Sequence, residues 1–136
     1  TRSRILPKGS VAANCVGSFG FAMVTHFDCI INQQIQAFLP FGIDAVFLKY
    51  VVEISKDYFQ KNATQTTIMY VNREAFENLP VLLPPSSEQK NIVKFINEKT
   101  FQMQRTVSKV ETEIELMREY RTALVSEVVT GKVKVV

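Results

Sequence analysis

The chain has 136 residues, 46% of them hydrophobic, which suits one compact domain or a small domain carrying a long appendage and argues against disorder. Its 16 basic and 13 acidic side chains leave a net charge of +3, compatible with nucleic acid but too small to argue for it unaided. No apolar run approaches the ~20 residues that span a bilayer, and TRSRILPKGS at the start lacks the apolar centre of a secretory signal. A soluble, cytoplasmic protein with no membrane partner is expected.

In chain order, GSVAANCVGSFGFAMVTHF (9–27) holds short β-prone runs broken by Gly9, Gly17 and Gly20, as in strands joined by tight turns. Its GSFG stretch reads as a hairpin turn, or as a loop touching a ligand or a DNA backbone. Cys15 and Cys29 have no CxxC spacing and are expected as buried free thiols. His26, the single histidine, has no acidic or cysteine partner at a telling spacing and reads as structural. DCIINQQIQAFL (28–39) fits a further strand. DAVFLKYVVEISKDYFQKN (44–62) instead repeats Phe47, Tyr50, Val51, Ile54 and Tyr58 at helical steps, with Asp44 as N-cap and Asn62 at the end. TTIMYV (66–71) is β-branched, NREAFENL (72–79) suits a short helix capped by Asn72, and PVLLPP (80–85) must be extended. Strands and short helices mixed in this way imply an α+β domain. They contain no nucleophile–base pair, paired carboxylates or phosphate loop, so no catalytic residue, cofactor or metal is assigned.

From Ser86 to Val129 the pattern predicts one long helix. Ser86 and Gln89 have capping-box spacing, and Glu88 favours the first turn. No proline or glycine follows until Gly131, placed for a left-handed C-cap. At ~1.5 Å per residue, such a rod is roughly 65 Å long. Met103, Val107, Val110, Ile114, Met117, Leu124 and Val128 follow alternating steps of four and three, with Arg121 filling the remaining register position. That is a heptad seam, so a coiled coil is expected. Ile92 and Ile96 extend it upstream, where Lys99 or Thr100 weakens it. The alternative is a helix lying partly on its own domain with a solvated far end.

LPVLLPPSSEQKNIVKFI (79–96) and REYRTALVSEVVTGKVKV (118–135) resemble the specificity subunit of type I restriction–modification systems. KGSVAANCVGSFG (8–20), INQQI (31–35), FLKY (47–50) and TQTTI (64–68) resemble the second half of its target recognition domain. The resemblance implies a non-catalytic component that recognises half of a split double-stranded DNA target. It further implies a spacer helix that packs antiparallel against another and scaffolds the modification (methyltransferase) subunits and, through them, the restriction subunit. Residues 1–85 would be a partial target recognition domain, and 86–136 the conserved helix with a short tail. The family carries two such domains and two helices, and its domains are longer than residues 1–84. This chain is therefore expected to be a fragment or a shortened form that regains the family's twofold arrangement as a homodimer.

DNA reading needs basic groups on phosphates and polar groups on base edges. Candidate phosphate contacts are Arg2, Arg4, Lys8, Lys56 and Lys61. Candidate readers are Ser18, Asn62, Thr64 and Gln65, with Gln33 and Gln34 set lower because they fall in a predicted strand. Each is weighed against a solvated-surface role. The expected coil and partner interface comprises Ile92, Ile96, Met103, Val107, Val110, Ile114, Met117, Tyr120, Arg121, Leu124 and Val128. Of the family's helix signature, Glu88, Gln89, Tyr120, Arg121, Thr130, Gly131 and Lys132 are present, with capping, packing and docking as implied roles. The competing reading is an assembly fragment that dimerises or docks modification subunits without reading DNA.

Overall fold

The computed structural model describes residues 5–64 and 67–134. The chain divides into two compact units, Thr1–Lys94 and Phe95–Val136. The first is the α+β domain that the mixed pattern implies. Strand β1 (Val11–Asn14) lies between β2 (Ala22–Val24) and β3 (Ile35–Phe38), both antiparallel to it. Val11 faces Val24 and Phe38 across the sheet, while Ala13 faces Ala22 and Gln36. Side chains alternate between the two sides of a strand, so one row, Val11, Ala13, Ala22, Val24 and Phe38, enters the core together.

Helix α1 (Ala45–Ile54) covers that row with Leu48 and Val52. Asp44 starts it as expected: one carboxylate oxygen accepts from the backbone N–H of Val46 and of Phe47, each at 2.9 Å. The single helix expected over 44–62 is instead two, because Ser55 interrupts it before α2 (Lys56–Asn62). The Ser55 hydroxyl donates to Val51 O at 2.7 Å and its N–H is shared between Val51 O and Val52 O, which closes the last turn locally. Helix α3 (Arg73–Glu77) is capped by Asn72, whose side chain accepts from Ala75 N at 2.9 Å. The aromatic rings of Phe38, Phe76 and Phe59 form a continuous line, with centroids 5.5 and 4.7 Å apart. Tyr58 adds a bond from its hydroxyl to Ala75 O.

Two strand expectations contract. Over 28–39 only Ile35–Phe38 is a strand, preceded by a single bridge between Leu6 and Cys29. Asn32 explains the break: its side chain accepts from Gln34 N and its carbonyl from Ile35 N, an Asx turn that stops extended pairing. Of TTIMYV, Thr66 lies outside the described residues, and within the rest Tyr70 pairs only through bridges to Val16 and Thr64. Cys15 is a buried free thiol, but Cys29 is only half-buried. His26 sits exposed on the bend after β2 and not in the core. Residues 80–85 carry no regular structure, as their prolines require.

Helix α4 runs over Ser86–Val129, 44 residues without interruption. Its start corrects the capping box. Pro85 supplies the first carbonyl, accepting from Glu88 N and Gln89 N, so Ser86 lies inside the helix. The Gln89 side chain is buried and points elsewhere: its Oε1 accepts from Asp44 N at 2.7 Å and its Nε2 donates to Pro84 O at 2.9 Å. One amide thus ties the first turn of α4 to the N-terminus of α1. The far end closes as expected on Gly131, at φ 72°, with Lys132 N donating to Glu127 O and Gly131 N to Val128 O. Those two bonds define a Schellman cap.

Candidate nucleic-acid interface

Just beyond the C-terminal end of β1, several loops meet. The GSFG turn is anchored by Phe19, which is buried, and Gly17 N donates to Met69 O at 2.9 Å. Val16 bridges Tyr70, which in turn bridges Thr64. Gly20, at φ 86°, lies against the junction of α1 and α2: a Cβ there would stand 3.1 Å from Glu53 O and 3.2 Å from the Cβ of Lys56. The turn therefore needs glycine twice over, for its backbone angle and for its close approach.

This edge brings together most of the candidate readers. Ser18, Lys56, Lys61, Asn62 and Thr64 are all exposed there, on the turn or on α2 and its exit. Thr64 is held at both ends, its N–H and its hydroxyl donating to Tyr70 O at 2.8 and 3.1 Å. The Asn62 side-chain NH2 donates one N–H to Tyr58 O at 2.8 Å, which leaves its second N–H and its carbonyl for a partner. Lys8 does not join them. It precedes β1 at the strand's other end, where its backbone N–H is held by the Asp28 carboxylate at 2.8 Å. Arg2, Arg4 and Gln65 lie outside the described residues.

Two residues set low by sequence reasoning belong to the same edge. Gln33 and Gln34 sit in the exposed turn before β3, and Gln34 O accepts from Cys15 N at 2.9 Å. The signal was present in Asn32, a turn former that takes the next residues out of the strand. Phe21, Ile68 and Met69, also exposed, flank this edge and carry apolar surface that a polar motif search passes over.

Among the described residues no cluster of three or more His, Cys, Asp or Glu is placed to hold a metal ion. Burial pushes the Cys15 thiol up from 9.0, and a backbone hydrogen bond partly opposes the shift.

On α4, Ile92 and Ile96 are half-buried. Beyond them the seam residues are open, from 36% exposed at Val128 to 72% at Met117, and Tyr120 and Arg121 are exposed with them. Shallow depressions lie between these side chains, one lined by Val110, Glu113, Ile114, Met117, Arg118 and Arg121 and another by Lys99, Gln102, Met103, Thr106 and Val107. No described helix is long and apolar enough to cross a membrane.

An α+β unit with its loops gathered at one edge is thus followed in the chain by one long helix with an exposed apolar stripe. The type I restriction modification DNA specificity domain family matches residues 1–115, and the chain belongs to that family. Over 88 residues it is 23% identical to the type I restriction enzyme MjaVIII specificity subunit of Methanocaldococcus jannaschii, covering 65% of this chain and 20% of that protein. Among solved structures, one from work on complex assembly and conformational transition of the type I restriction–modification system superposes with a TM-score of 0.78 at 21% identity, over 93% of this chain and 32% of that one. The type I specificity subunit of M. genitalium gives 0.61 at 18% identity, over 92% and 34%. The chain thus spans 20% to 34% of the length of these relatives.

Proposed function

We propose that this chain is a DNA-reading component of a type I restriction–modification complex, without catalysis of its own, working in the cytoplasm where the host DNA lies. The observation that carries the reading is the family match over 1–115, on a chain whose exposed polar loops gather at one edge. In this reading Lys56 and Lys61 hold phosphates and set register, while Ser18, Gln33, Gln34, Asn62 and Thr64 offer donors and acceptors to base edges. Phe21, Ile68 and Met69 suit the methyl groups of thymine. Lys8, at the other end of β1, takes no part in that contact. The domain, residues 1–85, reads one half of a split target.

The helix, 86–136, is the scaffold. Its stripe pairs with the same stripe of a second copy in an antiparallel coiled coil, making a homodimer that presents two reading domains. Modification subunits dock on this framework and bring the restriction subunit with them. An open apolar seam supports pairing, because a stripe of this length is unfavourable in water when bare.

The same seam favours a second reading, an assembly module that dimerises and docks modification subunits without touching DNA. A gel shift across salt concentrations separates the two. A reader binds duplex with an affinity that falls steeply as salt rises and differs among sequences. An assembly module shows neither and still co-purifies with modification subunit; that outcome would sink the DNA-reading proposal.

A further inference from the structure

The spacing of charges beside the seam goes further than the statement that α4 pairs with itself. In heptad terms Val107, Ile114, Arg121 and Val128 occupy a, and Met103, Val110, Met117 and Leu124 occupy d. Gln104, Glu111, Arg118 and Val125 then fall at e, and Thr106, Glu113, Tyr120 and Glu127 at g. An antiparallel pair sets a layers against d layers and brings e beside e and g beside g, so each register makes its own set of charge contacts.

We propose that two copies of this chain pair antiparallel in one register, with Ile114 facing the partner's Met117 and Glu111 beside the partner's Arg118. The inference rests on the dimer reading above and adds its geometry. In this register Met103 faces the partner's Val128 and Val107 faces the partner's Leu124, so between Met103 and Val128 each apolar seam residue but one meets an apolar residue. The exception is Val110, which faces the partner's Arg121. The aliphatic stem of that arginine covers the valine while its guanidinium extends toward Glu113, one turn along from Val110 on the same helix. Glu111 and Arg118 meet twice by symmetry. Arg118 already leans on Glu115 of its own helix at 2.8 Å, so the added contact makes a three-charge network.

The other registers are poorer for stated reasons. Sliding one heptad in one direction sets Glu111 against the partner's Glu111 and Glu113 against the partner's Glu113. Sliding the other way sets Arg118 against the partner's Arg118 and Glu113 against the partner's Glu127. A parallel pair would stack Arg121 on the partner's Arg121 inside the seam. Like charges in direct opposition destabilise a coil and select against these arrangements.

Charge reversal on the exposed flank tests the register without threatening the fold of either unit. The wild-type chain, Glu111→Arg, Arg118→Glu and the double variant are compared by sedimentation equilibrium. Each single variant raises the dimer dissociation constant about tenfold, from two pairs turned from attraction to repulsion, and the double variant returns close to wild type. Position is read separately by mild oxidation. A mixture of Val107→Cys and Leu124→Cys chains forms a disulfide-linked dimer, whereas Val107→Cys alone does not; wild type controls for Cys15 and Cys29. If wild type dimerises but the single reversals change nothing, or Val107→Cys links to itself, the register is wrong and the dimer stands. If wild type remains a monomer at tens of micromolar, the dimer fails and the register with it.

Discussion

Gln89 is 2% exposed, and both ends of its amide are taken by backbone groups of the domain. A polar side chain is tolerated at such a position only because it satisfies groups that would otherwise be stranded: the Asp44 N–H and the Pro84 carbonyl. Gln89→Leu keeps the volume and removes both bonds. We expect it to lower stability by about 1–3 kcal/mol, read as a lower urea midpoint with an unchanged slope. Gln89→Glu should be worse at neutral pH, since it buries a charge and loses the donor to Pro84 O. This role was not legible in the sequence. SSEQ matches a capping box letter for letter, and only tertiary contact reveals that the glutamine reaches forty-five residues back along the chain. The candidate readers show a related limit: short polar residues in loops look alike whether they meet water or a base edge.

At the scale of elements, local rules did better wherever one signal dominated. Asp44, Asn72 and Gly131 terminate helices where capping chemistry places them, and α4 runs its full expected length. The misses come from competition. Over 44–62 the apolar period continues through Ser55, so periodicity alone cannot register a hydroxyl that bonds back to Val51 and ends α1. Around Asn32 the apolar residues kept the strand pattern alive past a side chain that turns the backbone. Gly131→Ala tests the cap at the end of α4. The left-handed angle there costs an alanine about 1–2 kcal/mol, while its Cβ would meet no atom within 4 Å. We therefore expect faster amide exchange confined to the last turn, around Val128–Lys132, with the urea midpoint of the domain unmoved. Loss of stability throughout would contradict that assignment.

For the molecule as a whole, binding at the loop edge divides into electrostatic grip and base recognition. If Lys56 and Lys61 grip phosphates, Lys56→Ala and Lys61→Ala weaken binding to every duplex alike and each reduces the salt slope by about one. Gln33→Ala, Gln34→Ala or Ser18→Ala should instead alter which duplexes are preferred, with the slope intact. Quantitative titration at several salt concentrations distinguishes these patterns, and Lys8→Ala, at the other end of β1, should affect neither.

Cys15 extends this to motion. Its N–H bonds to Gln34 O and its carbonyl accepts from Val71 N, so its sulfur is reached only when the turn before β3 or the segment entering α3 comes away. Because burial raises the thiol's pKa, the stability it confers is present below about pH 9 and is lost as pH rises through the raised value. An alkylating reagent at neutral pH should therefore label half-buried Cys29 promptly and Cys15 only at the rate of opening. The chain thus contains its own stopwatch: the lag between the two thiols, followed by mass spectrometry with and without duplex, would time how often the loop edge breathes and whether added duplex stills it.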